Sequence, residues 1–219
     1  MKKKLTPRNL GLIAAAVALV VLIIVGAVCV KNGPTENANT IRTEYKEGEL
    51  LTGTHYVEIE VKDYGTMTAE LYADIAPITV TNFMKLVDKG FYNNLTFHRI
   101  ITGFMIQGGD PLGNGRGGSD EQILGEFSAN NVENELRHER GVLSMARSNA
   151  FNSASSQFFI MHADNSFLDG QYAAFGRVIS GIEIVDAICA DARPYDSNGM
   201  IKAEEQPVIT AIRKIEKPQ

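Results

Sequence analysis

The sequence predicts a mainly β domain, a closed antiparallel barrel with helices over its ends, carried behind one N-terminal membrane helix. Three observations lead there. Leu10–Val30 is a run of 21 residues without a charge. Beyond residue 50, short stretches of alternating apolar and polar residues follow one another with turn residues between them. Only two stretches change to the helical period, so strands do not alternate with long helices and a parallel sheet is not expected.

At about 1.5 Å per residue the uncharged run spans roughly 30 Å, the thickness of a bilayer's hydrocarbon layer. Lys2, Lys3, Lys4 and Arg8 precede it, and a basic flank stays on the cytoplasmic side. Residues 1–9 therefore read as a cytoplasmic flank and 10–30 as a transmembrane anchor or signal segment. The rest is expected outside the cell membrane, on its extracytoplasmic side. Ala27-Val28-Cys29 is a poor cleavage site, and the run exceeds the roughly 7–15 residues of a secretory core. A retained single-pass anchor is favoured over a cleaved signal or a lipid-modified Cys29. Taking the five bases up to Lys31 from the chain's 21 leaves 16 against 26 acids, a formal charge of −10. That balance argues against nucleic acid and an anionic membrane surface as partners of the domain. Cys29 falls in the anchor and Cys189 in a predicted helix, so no disulfide framework forms.

Residues 31–50, polar and carrying Asn-Gly-Pro, form a linker, and 51–217 suit one domain. Thr54–Val61 alternates with Val57, Ile59 and Val61 on one face, and Thr66–Tyr72 with Met67, Ala69 and Leu71. Asp63-Tyr64-Gly65 between them is hairpin punctuation. Val80, Phe83, Met84 and Val87 then recur at helical spacing, with Pro77 suited to the first turn and Gly90 to the end. The spacing predicts a helix over 77–88. Strands follow at Thr96–Ile101 and Phe104–Gly108, then the glycine-rich stretch Gly108–Gly118. Further strands are expected at Val142–Ala146, Gln157–Met161 and Phe175–Val178. A second helix over Ile182–Cys189 gathers Ile184, Val185 and Ile188. Val208–Ile215 is placed to pair with the first strand and close the sheet.

The chemistry concentrates in Phe97–Asp110, where Arg99, Phe104, Met105 and Gln107 fall within nine residues. In extended chain Arg99 shares a face with Phe97 and Ile101. A guanidinium on an apolar face must be paired or line a cleft. The alternative is an edge-strand arginine reaching to water, with Phe104 and Met105 as ordinary core. Gly108–Gly118 lacks the Lys-Ser/Thr ending of a phosphate loop and reads as a plain loop. His55, His98, His138 and His162 show no i,i+4 pair, so no metal site is expected. Ser144, Ser153, Ser155 and Ser156 lack the elbow of a serine nucleophile. What stays is an arginine, a glutamine and the aromatics Phe104, Phe158, Phe159, Phe167 and Phe175. This is an inventory for binding an apolar group beside a carbonyl, with no cofactor implied.

Phe97–Pro111 (FHRIITGFMIQGGDP), Gly141–Arg147 (GVLSMAR) and Ser155–Asp186 (SSQFFIMHADNSFLDGQYAAFGRVISGIEIVD) resemble the cyclophilin-type peptidyl-prolyl isomerases, in the same order. The likeness runs from about Tyr56 to Glu216, and the LSMAR form looks like the bacterial members. The resemblance implies an eight-stranded antiparallel barrel capped by two helices. It also implies a catalytic Arg99, with Phe104, Met105 and Gln107 lining a proline pocket. Ala146, Arg147 and Ser148 would form the wall where substrate backbone lies. Gln157, Phe159, Phe167 and Leu168 would complete the groove, with Tyr172 at its rim and Phe175 at its floor.

Four positions depart from the better-known members. Thr102 stands for a proline, Arg147 for an asparagine, Phe167 for the tryptophan of cyclosporin-sensitive members, and Tyr172 for a histidine. The implied partners are proline-containing polypeptides, unfolded exported proteins among them, with weak cyclosporin binding and a monomeric domain. A non-catalytic module binding proline segments is the competing reading, and the intact arginine, pocket and glutamine favour the enzyme. A small-ligand barrel is disfavoured because the apolar strands predict a filled interior.

Overall fold

The computed structural model describes residues 40–42 and 45–218. The membrane segment expected over residues 10–30 lies outside them. Among the described residues, no helix is long and apolar enough to cross a membrane.

Strand β1 (Thr40–Arg42) comes first, within the stretch read as linker. The hairpin of β2 (Thr54–Val61) and β3 (Gly65–Tyr72) follows, turning at Asp63 with its φ of +66°. Helix α1 (Pro77–Asp88) buries Val80, Phe83, Met84 and Val87, the stripe its spacing predicts. Its N-terminus has no local side-chain cap. Instead the buried Glu126 reaches it from far along the chain, accepting from Ile78 N at 2.9 Å and Thr79 N at 2.8 Å. Two of the amides that every helix start leaves unpaired are satisfied this way. Strands β4 (Leu95–Ile101), β5 (Met105–Gly108), β6 (Glu121–Ile123), β7 (Val142–Met145), β8 (Phe158–Met161) and β9 (Ala174–Ser180) come next. Helix α2 (Glu183–Asp191) and β10 (Val208–Ile215) complete the order.

Eight strands close a barrel in the order β10-β2-β3-β9-β7-β8-β5-β4, with every pair antiparallel. The last strand does close the sheet, pairing with β2 on one side and β4 on the other. β1 and β6 form a separate parallel pair, Thr40 opposite Glu121 and Arg42 opposite Ile123, which the sequence did not announce.

The interior is filled. Helix α1 lowers Phe83 onto Tyr92, Phe158 and Phe175, at ring-centroid distances of 4.9, 5.5 and 5.2 Å. Each such ring contributes about 1.5–3 kcal/mol by leaving water. A second, smaller apolar cluster of Met105, Val142, Phe159, Met161, Leu168 and Ala174 is separate from that interior. Half-buried Ile101, Phe104, Ala146 and Tyr172 pack against it.

Candidate active site

Strict alternation along β4 does not hold. Phe97 opposes Gly108 while Arg99 opposes the very next residue, Gln107, so His98 is the extra residue of a β-bulge. A bulge resets which way the following side chains point. Phe97 and Ile100 accordingly both belong to the barrel interior, with no exposure, while Ile101 packs on the second cluster. The expected shared face of Arg99 and Phe97 is therefore corrected: the bulge separates them and leaves Arg99 with Ile101.

Arg99 is half-buried and held from several sides. Its Nε donates to the Asn198 carbonyl at 2.7 Å, and its Nη1 to Gln107 Oε1 at 3.1 Å and Met105 Sδ at 3.8 Å. Gln107 Nε2 passes on to Gln157 Oε1 at 2.9 Å, and Gln157 Nε2 to the Gly117 carbonyl at 2.8 Å. Burial lowers the Arg99 pKa, opposed by Tyr172 and Asp196, and a guanidinium stays charged through such shifts.

The loop that supplies the Asn198 carbonyl is fixed by its own residues. Asp196 Oδ1 accepts from Asn198 N and Met200 N, both at 3.0 Å. Gly199 lies at φ +84°, and a Cβ there would stand 2.5 Å from Ile101 Cγ1 and 2.6 Å from the Ile100 carbonyl. Only glycine lets this loop lie on β4, where its carbonyl accepts from Ile100 N at 2.8 Å.

Phe104 follows the tight turn at Gly103 and meets Phe167, centroids 5.6 Å apart, with Phe167 52% exposed. Phe159 stacks at 6.0 Å on the buried His138 ring and meets Tyr172 edge-on at 6.0 Å. His138 Nδ1 lies 3.0 Å from Asp169 Oδ1 and its Nε2 3.0 Å from Ser144 Oγ. This is a Ser-His-Asp arrangement, but Ser144 is completely buried and no substrate can reach it. Its chemistry is positional: it fixes the ring beneath Phe159 in a neutral state, and burial lowers the His138 pKa.

Of the residues the sequence singled out, Arg99, Phe104, Met105, Gln107, Ala146, Phe159, Leu168 and Tyr172 come together around the second cluster. Gln157 joins through Gln107. Phe167 stacks on Phe104, and the Arg147 guanidinium lies 4.6 Å from the Tyr172 ring. Ser148 sits at the exposed margin, its N and Oγ both turned to Ser153 Oγ. Phe175 does not join them. It is fully buried against Phe83 inside the barrel, and the groove side of β9 is given by its neighbour Ala174. Asn198 and Gly117 were missed. Asp196-Ser197-Asn198-Gly199 is a turn signature, yet nothing local tells which side chain the turn will meet.

The chain as a whole resembles a known family. A model of the family described as cyclophilin type peptidyl-prolyl cis-trans isomerase/CLD matches residues 56–214. Peptidyl-prolyl cis-trans isomerase cypE of Dictyostelium discoideum is 46% identical over 144 residues, 64% of this chain and 90% of that protein. Peptidyl-prolyl cis-trans isomerase-like 1 of Emericella nidulans is 44% identical over 146 residues, 64% of this chain and 88% of that one. A crystal structure of a Cryptosporidium parvum cyclophilin type peptidyl-prolyl cis-trans isomerase matches with TM-score 0.66 and 32% identity. It covers 76% of this chain and 100% of its own. A second structure of that protein, in the presence of the dipeptide ala-pro, gives TM-score 0.65 at 34% identity, over 74% and 99% of the two chains.

Proposed function

This chain belongs to the cyclophilin-type peptidyl-prolyl cis-trans isomerases, and from that premise we propose that Arg99 drives X–Pro rotation in exported polypeptides. The observation that carries the assignment is the guanidinium held by Asn198, Gln107 and Met105 beside an apolar cluster. Rotation about X–Pro is slow because it breaks amide resonance, a barrier of about 18–20 kcal/mol. In the twisted transition state the prolyl nitrogen regains a lone pair that the planar amide lacks. A donor aimed there stabilises the transition state more than the ground state. Phe104, Met105 and Phe159 would hold the proline ring, and Gln107 would orient Arg99 or bind the substrate carbonyl. The Cryptosporidium parvum protein crystallised in the presence of ala-pro supports the ligand class.

A charged hydrogen bond contributes about 1.5–3 kcal/mol, while a thousandfold acceleration needs about 4 kcal/mol. The remainder comes from excluding water at the twisted amide and from preorganised dipoles. The line Asn198–Arg99–Gln107–Gln157–Gly117 supplies that preorganisation, since the donor needs no rearrangement when substrate arrives.

The charge-free run after a basic flank supports a cell-membrane anchor with the domain outside. The purified full chain should accelerate isomerisation of a prolyl peptide measured by exchange NMR. No acceleration by folded protein would sink the enzyme reading. The anchor is tested separately: the chain should stay in the membrane fraction through an alkaline carbonate wash, and release with an N-terminus near Val30 would show a cleaved signal.

A further inference from the structure

Arg42, Arg140, Arg177 and Arg213 each take a carboxylate partner, namely Glu49, Asp186, Glu139 and Glu60. Among the described residues, Arg116, Arg137 and Arg193 take none and are exposed, whereas the two half-buried arginines at the groove are held by other partners. Arg99 donates to a carbonyl, an amide and a sulfur. Arg147 donates through Nε and Nη2 to the Gln171 carbonyl at 3.0 and 2.9 Å, and through Nη1 to the Ser148 carbonyl at 2.9 Å. Among the described residues no carboxylate pairs with Arg147. A guanidinium carries five N–H donors, so two remain after these three bonds.

Three rings surround the same group. The Arg147 Cζ lies 5.1 Å from the Phe127 ring, 5.0 Å from Phe151 and 4.6 Å from Tyr172. The two N–H groups left over are one on each Nη, a pair that can meet a carboxylate's two oxygens. Tyr172 also touches Phe159, which places this cation one ring away from the apolar pocket. The chain beyond Lys31 has a formal charge of −10, but charges farther than the roughly 8 Å Debye length are screened at physiological salt. Among the described residues neither Arg99 nor Arg147 forms an ion pair with a carboxylate, although the domain as a whole is acidic.

We propose that Arg147 selects substrates by pairing with a carboxylate side chain within three residues of the target proline. The inference rests on the groove being the proline site. Arg147 is then a specificity-determining residue, and the preferred substrates are acidic proline-containing segments.

The test is exchange-NMR kinetics on peptides with Glu, Ala or Lys at each of the three positions before and after proline. The Ala peptides test the site itself; the Glu-to-Lys ratio tests the role of Arg147. For the parent, kcat/KM for Glu over Lys should reach about three- to tenfold at one position, the scale of an exposed ion pair gained and a repulsion avoided. Arg147→Gln should bring that ratio towards one. Should that variant not fold, the parent's ratio should collapse as salt rises from about 0.01 M to about 1 M, where the Debye length falls from about 30 to about 3 Å. A parent with no charge preference, a ratio that survives in Arg147→Gln, or an equal loss for all three peptides would each overturn the proposal. The last outcome would mark Arg147 as a structural stitch between two loops.

Discussion

The Gly103 amide donates to His162 Nδ1 at 2.7 Å, across the turn that delivers Phe104. The same imidazole reaches Asp186 Oδ1 through Nε2 at 3.2 Å, and Asp186 is held by Arg140 at 2.7 Å. The turn is thus moored to helix α2 through one ring of fixed tautomer.

An asparagine amide can stand where Nδ1 stands, and a glutamine amide where Nε2 stands. His162→Asn should therefore preserve the acceptor for Gly103, while His162→Gln keeps only the link to Asp186. We expect Gln and Ala variants to raise KM about three- to tenfold, the value of one hydrogen bond, with kcat little changed and Asn closest to the parent. Equal kinetics for Asn and Ala variants would refute the mooring.

Arg99→Ala should lower kcat/KM by one to three orders of magnitude, corresponding to about 1.4–4 kcal/mol. Arg99→Lys should recover little of it, because a lysine keeps the charge but cannot hold Asn198 and Gln107 with a planar fork. Full activity in the lysine variant would show that charge alone suffices.

His98, the extra residue of the bulge, is wholly buried with neither ring nitrogen partnered. Burial lowers its pKa to about 4, opposed by Asp110 and reinforced by Arg99. The unfolded value is about 6.5, so folding favours the neutral ring: its contribution is complete above about pH 6.5 and lost as pH falls towards 4. The difference corresponds to about 3 kcal/mol. Thermal melts of His98→Leu should show a flatter pH dependence across that window and no loss at neutral pH. His138, lowered in the same direction, would supply the slope that remains. An unchanged slope would place the proton elsewhere.

Phe167 packs on Phe104 and stands half in water, where it can meet a ligand but has no donor to offer. The tryptophan of cyclosporin-sensitive members donates its indole N–H to the drug. A ligand carbonyl left unpaired costs about 1–3 kcal/mol, roughly a five- to hundredfold loss of affinity. Isothermal titration should find weak binding by the parent and tighter binding by Phe167→Trp, with peptide turnover nearly constant. Low-nanomolar affinity in the parent would contradict this.

Glu126→Ala leaves the part-buried Ile78 N and the buried Thr79 N of α1 without acceptors, at about 1–3 kcal/mol each. At about 2–4 °C per kcal/mol for a domain of this size, Tm should fall by about 4–24 °C, and for Glu126→Gln by roughly half as much. A Tm within a degree of the parent would mean that water replaces the carboxylate.

Elements whose signal is periodic were legible in the sequence. The α1 stripe and the β2–β3 alternation recur over eight residues or more, and both stand where their periods put them. Decisions taken between distant segments were not. Glu126 on α1 and the Asn198 carbonyl on Arg99 join parts of the chain far apart in sequence, and no local pattern records them. The bulge hid for another reason: one added residue leaves composition and hydropathy intact while reversing every orientation after it. Phe175 was misplaced by that kind of one-residue ambiguity, since Ala174 beside it faces the groove.

The line from Arg99 through the two glutamines to Gly117 ends in groups of opposite capability. A guanidinium only donates and a carbonyl only accepts, while either amide between them can be turned around. One arrangement alone makes every link, so the line carries polarity, and a fault cannot stay where it is introduced. Glutamate in place of Gln107 would still accept from Arg99, but it could no longer donate to Gln157. Gln157 would then invert to donate back, setting its oxygen against the Gly117 carbonyl. The mismatch surfaces at the glycine-rich loop, where faster amide exchange at Gly117 and Gly118 would betray a change made beside Arg99.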